Sequence, residues 1–303
     1  MKLGILTSIF GNYNFEQVLD MTSEFGLECM EVACWPQGEG ERRYAGVCHI
    51  DCENFTDEEA HTIINKCEEK KIFISALGFY ANLMDENLEK RKENIQHFMK
   101  VIDVSAKLNI NMVTGFLGRM QHKTLEENLK AVKEIWTPII DYAESKKVRI
   151  AIENCPMLFT QDEWPGGQNI MTSPDNWRKI FEILDSDYLG INYDPSHFVW
   201  QQMDYIRPLY EFKEKIFHVH FKDIKLLHDK MQDVGIMAAP LQFMVPKLPG
   251  LGDVNWNKFV SALTDIGFDG PACIEIEDKS FEKTDEKIKQ AVAQATRYMK
   301  NFV

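Results

Sequence analysis

RIAIENCP, residues 149–156, is a short apolar run that ends on an acid, Glu153, and turns at once. The same layout returns three times: Asp194 and His197 in LGINYDPSHF (189–198), His220 in IFHVHFKD (216–223) and Glu275 in PACIEIED (271–278). Each of these residues stands just past the apolar heart of a strand-like run, where the next loop begins. As parallel strands of one barrel, the four runs bring their C-terminal ends to a single pocket. Two glutamates, an aspartate and a histidine converging there make a site for a hard-to-borderline divalent metal ion.

Outward from these runs, the chain alternates strand-like and helix-like stretches about eight times. Strands are expected at 3–9, 29–35, 73–79, 111–117, 149–154, 189–194, 217–223 and 272–277. Helices are expected near 15–26, 56–70, 86–108, 124–147, 174–186, 204–214, 255–267 and 284–302. Thr124 and the Ser173-Pro174-Asp175 step read as helix starts. In the helix over 124–147, Leu125, Leu129, Val132, Ile135 and Ile139 form one apolar stripe opposite Glu126, Glu127, Lys130 and Lys133. The strands are near-continuous apolar runs, as when both faces of a sheet are covered. No glycine fingerprint GxGxxG follows the first strand, which disfavours a doubly wound open sheet. The expected fold is α/β, a single (β/α)8 TIM barrel over residues 1–303 with long loops at the C-terminal face.

Composition sets the outer limits. The 303 residues carry 34 Lys and Arg against 47 Asp and Glu, a net charge of −13. That balance speaks against a nucleic-acid-binding face. MKLGILTSIF runs into the polar stretch after Gly11 too soon for a signal peptide. No apolar run approaches the ~20 residues needed to cross a bilayer. The seven cysteines form no CxxC pair and read as reduced thiols of a cytoplasmic protein.

The motifs assign further residues. Side chains two apart on a strand share a face, so His218, His220 and Lys222 all line the barrel interior. His220, nearer the rim, is the ligand. His218 either orients it or touches substrate, Lys222 neutralises developing charge, and Asp223 is placed to orient Lys222. Pro195 forces a turn that throws Asp194 and His197 into the pocket. In the eighth strand Glu275 is the ligand, while Glu277 and Asp278 belong to the rim, one pairing with Lys222. Glu31 is expected to bind substrate hydroxyls or to form a structural ion pair, and His49 to contact substrate or lie on the surface. Trp35, Phe79, Trp164 and Trp200 are candidate walls. The long loops 36–54, 157–173 and 224–254 all fall on the active face of such a barrel.

On these residues the chain resembles the xylose isomerase-like TIM-barrel superfamily, in its sugar phosphate isomerase/epimerase branch. Ile152-Glu153-Asn154, Asp194-Pro-Ser-His197, His218-Val-His-Phe-Lys-Asp223, Pro249-Gly-Leu-Gly-Asp-Val-Asn-Trp256 and Ile274-Glu-Ile-Glu-Asp278 carry the resemblance. It implies one divalent ion (Mn2+, Co2+ or Mg2+, with Zn2+ also admissible) held by Glu153, Asp194, His220 and Glu275. It further implies that Glu153 and Glu275 serve as the acid/base pair and that His197 contacts substrate. Two departures stand out. The arginine that the family's epimerases place after the seventh strand is absent from Ile224-Lys-Leu-Leu227. Gln232-Asp-Val-Gly235 lacks the Asp-x-His pair of the related DNA-repair endonuclease IV.

The resemblance implies a sugar or sugar phosphate isomerase or epimerase, moving a proton next to a carbonyl through a cis-enediolate. A lyase acting on a keto-sugar or keto-inositol, including 3-keto-C-glycoside cleavage, shares every ligand. A non-catalytic sugar- or partner-binding barrel is the third reading. The apolar residues of the 224–254 loop (Met231, Met237, Leu241, Phe243 and Met244) suit either an apolar aglycone or a second subunit, so a homo-oligomer through the strand-end loops is one alternative.

Overall fold

A computed structural model describes residues 1–38, 44–157 and 167–303. Among the described residues, eight strands close into one parallel barrel. In chain order they are β1 (Lys2–Leu6), β2 (Cys29–Ala33), β3 (Phe73–Phe79), β4 (Met112–Gly115), β5 (Arg149–Glu153), β6 (Leu189–Tyr193), β7 (Ile216–Phe221) and, after an excursion, β10 (Pro271–Ile274). Strand β10 pairs with β1 on one side and β7 on the other, which closes the ring. The strands carrying Glu153, Asp194, His220 and Glu275 are therefore consecutive neighbours around the barrel.

Helices α1 (Phe15–Glu24), α2 (Asp57–Lys70), α3 (Leu88–Lys107), α4 (Leu125–Ser145), α5 (Pro174–Ile183), α7 (Arg207–Glu211), α9 (Trp256–Asp265) and α10 (Asp285–Met299) follow the barrel strands. Their starts obey local chemistry. Thr124 and Glu127 form a reciprocal capping box, and Ser173 accepts from Asn176 N with Pro174 at the first helical position. The α4 stripe is rotated from the expected one. Val132 and Ile139 are buried, but Trp136, Ile140 and Ala143 complete the face, and Leu125, Leu129 and Ile135 sit only at its margin. The indole of Trp136 fixes that rotation by donating to Leu117 O, just past β4, at 3.0 Å. Helix α7 is shorter than expected because Asp204 takes the backbone N–H of Ile206 and of Arg207 before a single helical turn begins.

The long segment after β7 is not irregular. Strands β8 (Asp223–Leu226) and β9 (Met244–Lys247) pair antiparallel into an arm with the short helix α8 (His228–Val234) at its end. A short helix α6 (Ser196–Trp200) also follows β6. Asp223 anchors the arm and does not orient Lys222. Its Oδ1 accepts from Ile224 N and Val254 N at 2.8 and 3.0 Å, and its Oδ2 from Gly250 N and Trp256 Nε1, both at 2.9 Å. A Cβ at Gly252 would lie 2.3 Å from Asp223 Oδ1, so only glycine lets the returning chain pass. Among the described residues, no helix is long and apolar enough to cross a membrane.

Candidate metal centre

Glu153 ends β5, Asp194 follows β6, His220 lies in β7 and Glu275 follows β10. One ligand atom from each lies within 4.8 Å of the others, and all four residues are buried. His220 Nδ1 stands 3.0 Å from Glu275 Oε2 and 3.5 Å from Glu153 Oε1. Glu153 Oε1, Asp194 Oδ2, His220 Nδ1 and Glu275 Oε2 are buried and make no hydrogen bond. A buried oxygen without a donor is costly, and four converging acceptors without one are more so. A divalent cation satisfies all four at once, and three carboxylate oxygens with one imidazole nitrogen suit Mn2+, Co2+, Mg2+ or Zn2+.

The layer beneath orients the imidazole. His220 Nε2 donates to Glu31 Oε2 at 2.6 Å, so Nδ1 is the nitrogen that faces the carboxylates and, once deprotonated, would offer its lone pair to an ion. The other Glu31 oxygen accepts from Tyr80 OH and, at 2.5 Å, from Thr114 Oγ1. Burial works against the Glu31 charge, yet His220, His218 and Thr114 outweigh it and hold the carboxyl below its usual range. Gly78 makes room for this carboxylate, since a Cβ there would stand 3.0 Å from Glu31 Oε1. His218 lies one layer deeper, bonded to Ser75 Oγ on β3 at 3.1 Å and to Asn192 Oδ1 on β6 at 3.0 Å. Contacts across the barrel put His218 inside, as strand parity requires.

Above the ligand atoms stand two cationic side chains. Lys222 Nζ is 3.1 Å from Glu275 Oε2, 3.2 Å from Asp194 Oδ2 and 3.5 Å from Glu277 Oε2. His197 Nε2 is 3.2 Å from Asp194 Oδ2 and 3.5 Å from Glu153 Oε1. Both line a cavity of about 940 Å³ together with Glu153 and Glu275. Its walls include Trp35, Tyr80, Phe116 and Trp200, and the arm adds Leu241 and Met244. Trp35 and Tyr80 stack with ring centroids 5.7 Å apart.

The two glutamates are driven apart in acidity. Burial raises both. At Glu153, the neighbouring imidazoles of His197 and His220 and the charge of Lys222 win and hold the carboxyl well below the usual range. At Glu275, burial and the Glu153 charge prevail over Lys222 and His220, and its carboxyl is raised.

Several expectations need correction. Glu31 and His218 do not line the cavity, because both lie under His220 with their polar atoms committed to protein partners. Glu31 takes the structural ion-pair alternative, with His220. His49 is neither a substrate contact nor a surface histidine. It is buried, with Nδ1 at 2.9 Å from Thr7 Oγ1 and Nε2 at 3.2 Å from Phe10 O, and it ties the loop after β2 to the end of β1. Phe79 packs edge-on against His97 instead of forming a wall. Trp164 lies outside the described residues. Glu277 pairs with Lys222, and Asp278 with Lys247. Gly250 N, part of the one glycine pattern before α9, is already taken by Asp223. Tyr80, Thr114 and Asn192 escaped notice because a search for acids and histidines at strand ends passes over hydroxyls and amides.

Comparison with known proteins agrees with the fold. The chain is 21% identical to the uncharacterized protein YfiH of Bacillus subtilis, over 97% of this chain and 100% of that one. The fold is shared with 3-keto-D-glucoside 4-epimerase from E. coli, at 12% identity and a TM-score of 0.72, with 99% of each chain covered. It is shared too with the IOLI protein, solved with a bound zinc atom, at 19% identity and a TM-score of 0.72 over 100% of this chain and 99% of that one. The family model for the xylose isomerase-like TIM barrel matches residues 19–302, and the chain belongs to that family.

Proposed function

We propose that the protein is a divalent-metal-dependent sugar isomerase or epimerase that moves a proton next to a carbonyl. The observation that carries this reading is the set of four buried ligand atoms, from Glu153, Asp194, His220 and Glu275, that converge without a hydrogen bond. An ion held by Glu153, Asp194, His220 and Glu275 supplies Lewis-acid polarisation of the substrate carbonyl. Glu153 and Glu275 are the pair that accepts the proton from carbon and returns one. Lys222 Nζ and His197 Nε2 donate to substrate oxygens and stabilise negative charge that develops there. Lys222, the residue directly after β7, thus provides a cation in place of the arginine that related epimerases carry further beyond that strand. Trp35, Phe116 and Trp200 keep bulk water from the reacting face.

A second reading is a lyase that expels water or an aglycone from the same type of enediolate. The size of the cavity and the apolar arm residues Leu241 and Met244 at its wall favour it for substrates larger than a free sugar. One experiment separates the two. Manganese-loaded protein is incubated in D2O with a panel of ketoses and 3-keto-glycosides and followed by NMR. Deuterium gained beside the carbonyl without loss of a group supports the isomerase. Release of water or aglycone supports the lyase, and neither exchange nor release in any member of the panel refutes both.

A further inference from the structure

We propose that Lys222 is an internal counter-ion of the ligand set: its ammonium neutralises the same three carboxylates that would hold the metal, so it competes with the ion and sets how tightly the ion binds. This inference rests on the assignment of Glu153, Asp194, His220 and Glu275 as ligands. Lys222 follows His220 by two residues on β7 and its extension, so its side chain enters the same interior. Its side chain is only 5% exposed, and Nζ lies 3.1, 3.2 and 4.0 Å from Glu275 Oε2, Asp194 Oδ2 and Glu153 Oε1. These are the three carboxylate oxygens of the cluster that make no hydrogen bond. The ammonium thus supplies charge to the same atoms that would hold the ion.

The consequence follows from linkage. Without metal, three buried carboxylates face one another, and Lys222 faces all three, while His197 faces only Asp194 and Glu153. With metal, the ion neutralises them and Lys222 becomes a second cation beside it. A group that stabilises the free form more than the bound form weakens binding by the difference. Removing the charge therefore destabilises the metal-free protein and tightens the site. A lysine that only contacts substrate predicts no change in affinity for the metal alone. A lysine that holds the ligands in place predicts weaker binding.

The test uses Mn2+ alone and needs no substrate. Metal-stripped wild type, Lys222→Met and Lys222→Arg are titrated with MnCl2 by calorimetry, and Tm is measured in EDTA and in saturating Mn2+. The expectation is at least tenfold tighter Mn2+ binding by Lys222→Met, equal to about 1.4 kcal/mol. Its Tm in EDTA lies below that of wild type, the gap narrows in Mn2+, and Lys222→Arg stays within about threefold of wild type. If wild type binds one Mn2+ and Lys222→Met binds it equally or more weakly, the counter-ion role is overturned while the ligand assignment stands. If wild type binds none, both fall. Should stripped Lys222→Met not fold, refolding with Mn2+ decides: rescue by Mn2+ supports the proposal, and failure in Mn2+ as in EDTA overturns it.

Discussion

Glu31→Gln isolates the layer beneath the metal site. The carboxylate is fully buried and accepts three hydrogen bonds, from His220 Nε2 at 2.6 Å, Thr114 Oγ1 at 2.5 Å and Tyr80 OH. Glutamine keeps the shape but exchanges one acceptor for a donor. With the amide NH2 toward His220, Nε2 must accept, and the imidazole proton moves to Nδ1, which faces Glu275 at 3.0 Å and is the ligating atom. With the amide oxygen toward His220, a charge-assisted bond becomes a neutral and weaker one. Either orientation lowers the basicity or availability of Nδ1. Partners of this kind typically contribute 10- to 100-fold to metal affinity, which corresponds to about 1.4–2.7 kcal/mol. Calorimetric titration of the stripped variant with Mn2+ should show a Kd weaker by that factor, with an unchanged far-ultraviolet CD spectrum. A Kd within about threefold of wild type would refute the reasoning and reduce Glu31 to barrel filling.

Three further outcomes follow. Glu153→Gln and Glu275→Gln should each slow solvent deuterium incorporation into substrate by roughly 10²–10⁴-fold; exchange at the wild-type rate in either variant removes that residue from the proton path. Asp223→Ala strands four donors that anchor the arm and should cost about 3 kcal/mol, lowering Tm by about 5 °C or more; a shift below about 1 °C contradicts the anchor. In the metal-free protein, burial opposes charge on His197 and His220. Cys155 and Asp194 beside the first, and Glu31, Glu153 and Glu275 beside the second, nonetheless raise both well above the usual imidazole range. A raised histidine contributes stability that is complete below about pH 6.5 and lost as pH rises through its folded value. The EDTA-treated protein should therefore be more stable at pH 6 than at pH 9, and Mn2+ should flatten that slope; a metal-free Tm that climbs over this range would contradict it.

Much of this architecture was readable because barrel strands impose strict geometry. Parity on β7 and the residue after it places His218, His220 and Lys222 inside, and the strand-end position of Glu153, Asp194 and Glu275 brings them together with His220. Residues whose role depends on a partner distant in sequence were harder to read. Glu31 and His220 are 189 positions apart, and nothing local to Glu31 says that a histidine waits across the barrel. The same holds for His49, which depends on Thr7 and Phe10 closing around it. The arm was missed because β8 and β9 are short, enclose 17 residues (227–243) and contain Pro246, which suits a two-stranded edge ribbon but weakens a strand pattern. In α4, apolar periodicity found the face only approximately, because the Trp136 indole and the Asn128 amide set the rotation through polar contacts to the loop after β4.

The central claim is that four side chains form one metal site. The direct measurement is anomalous diffraction at the manganese edge from crystals of protein loaded with one equivalent of Mn2+. The expected result is a single strong peak about 2.0–2.3 Å from Glu153 Oε1, Asp194 Oδ2, His220 Nδ1 and Glu275 Oε2. A peak elsewhere in the molecule, or none at saturating Mn2+, would contradict the account.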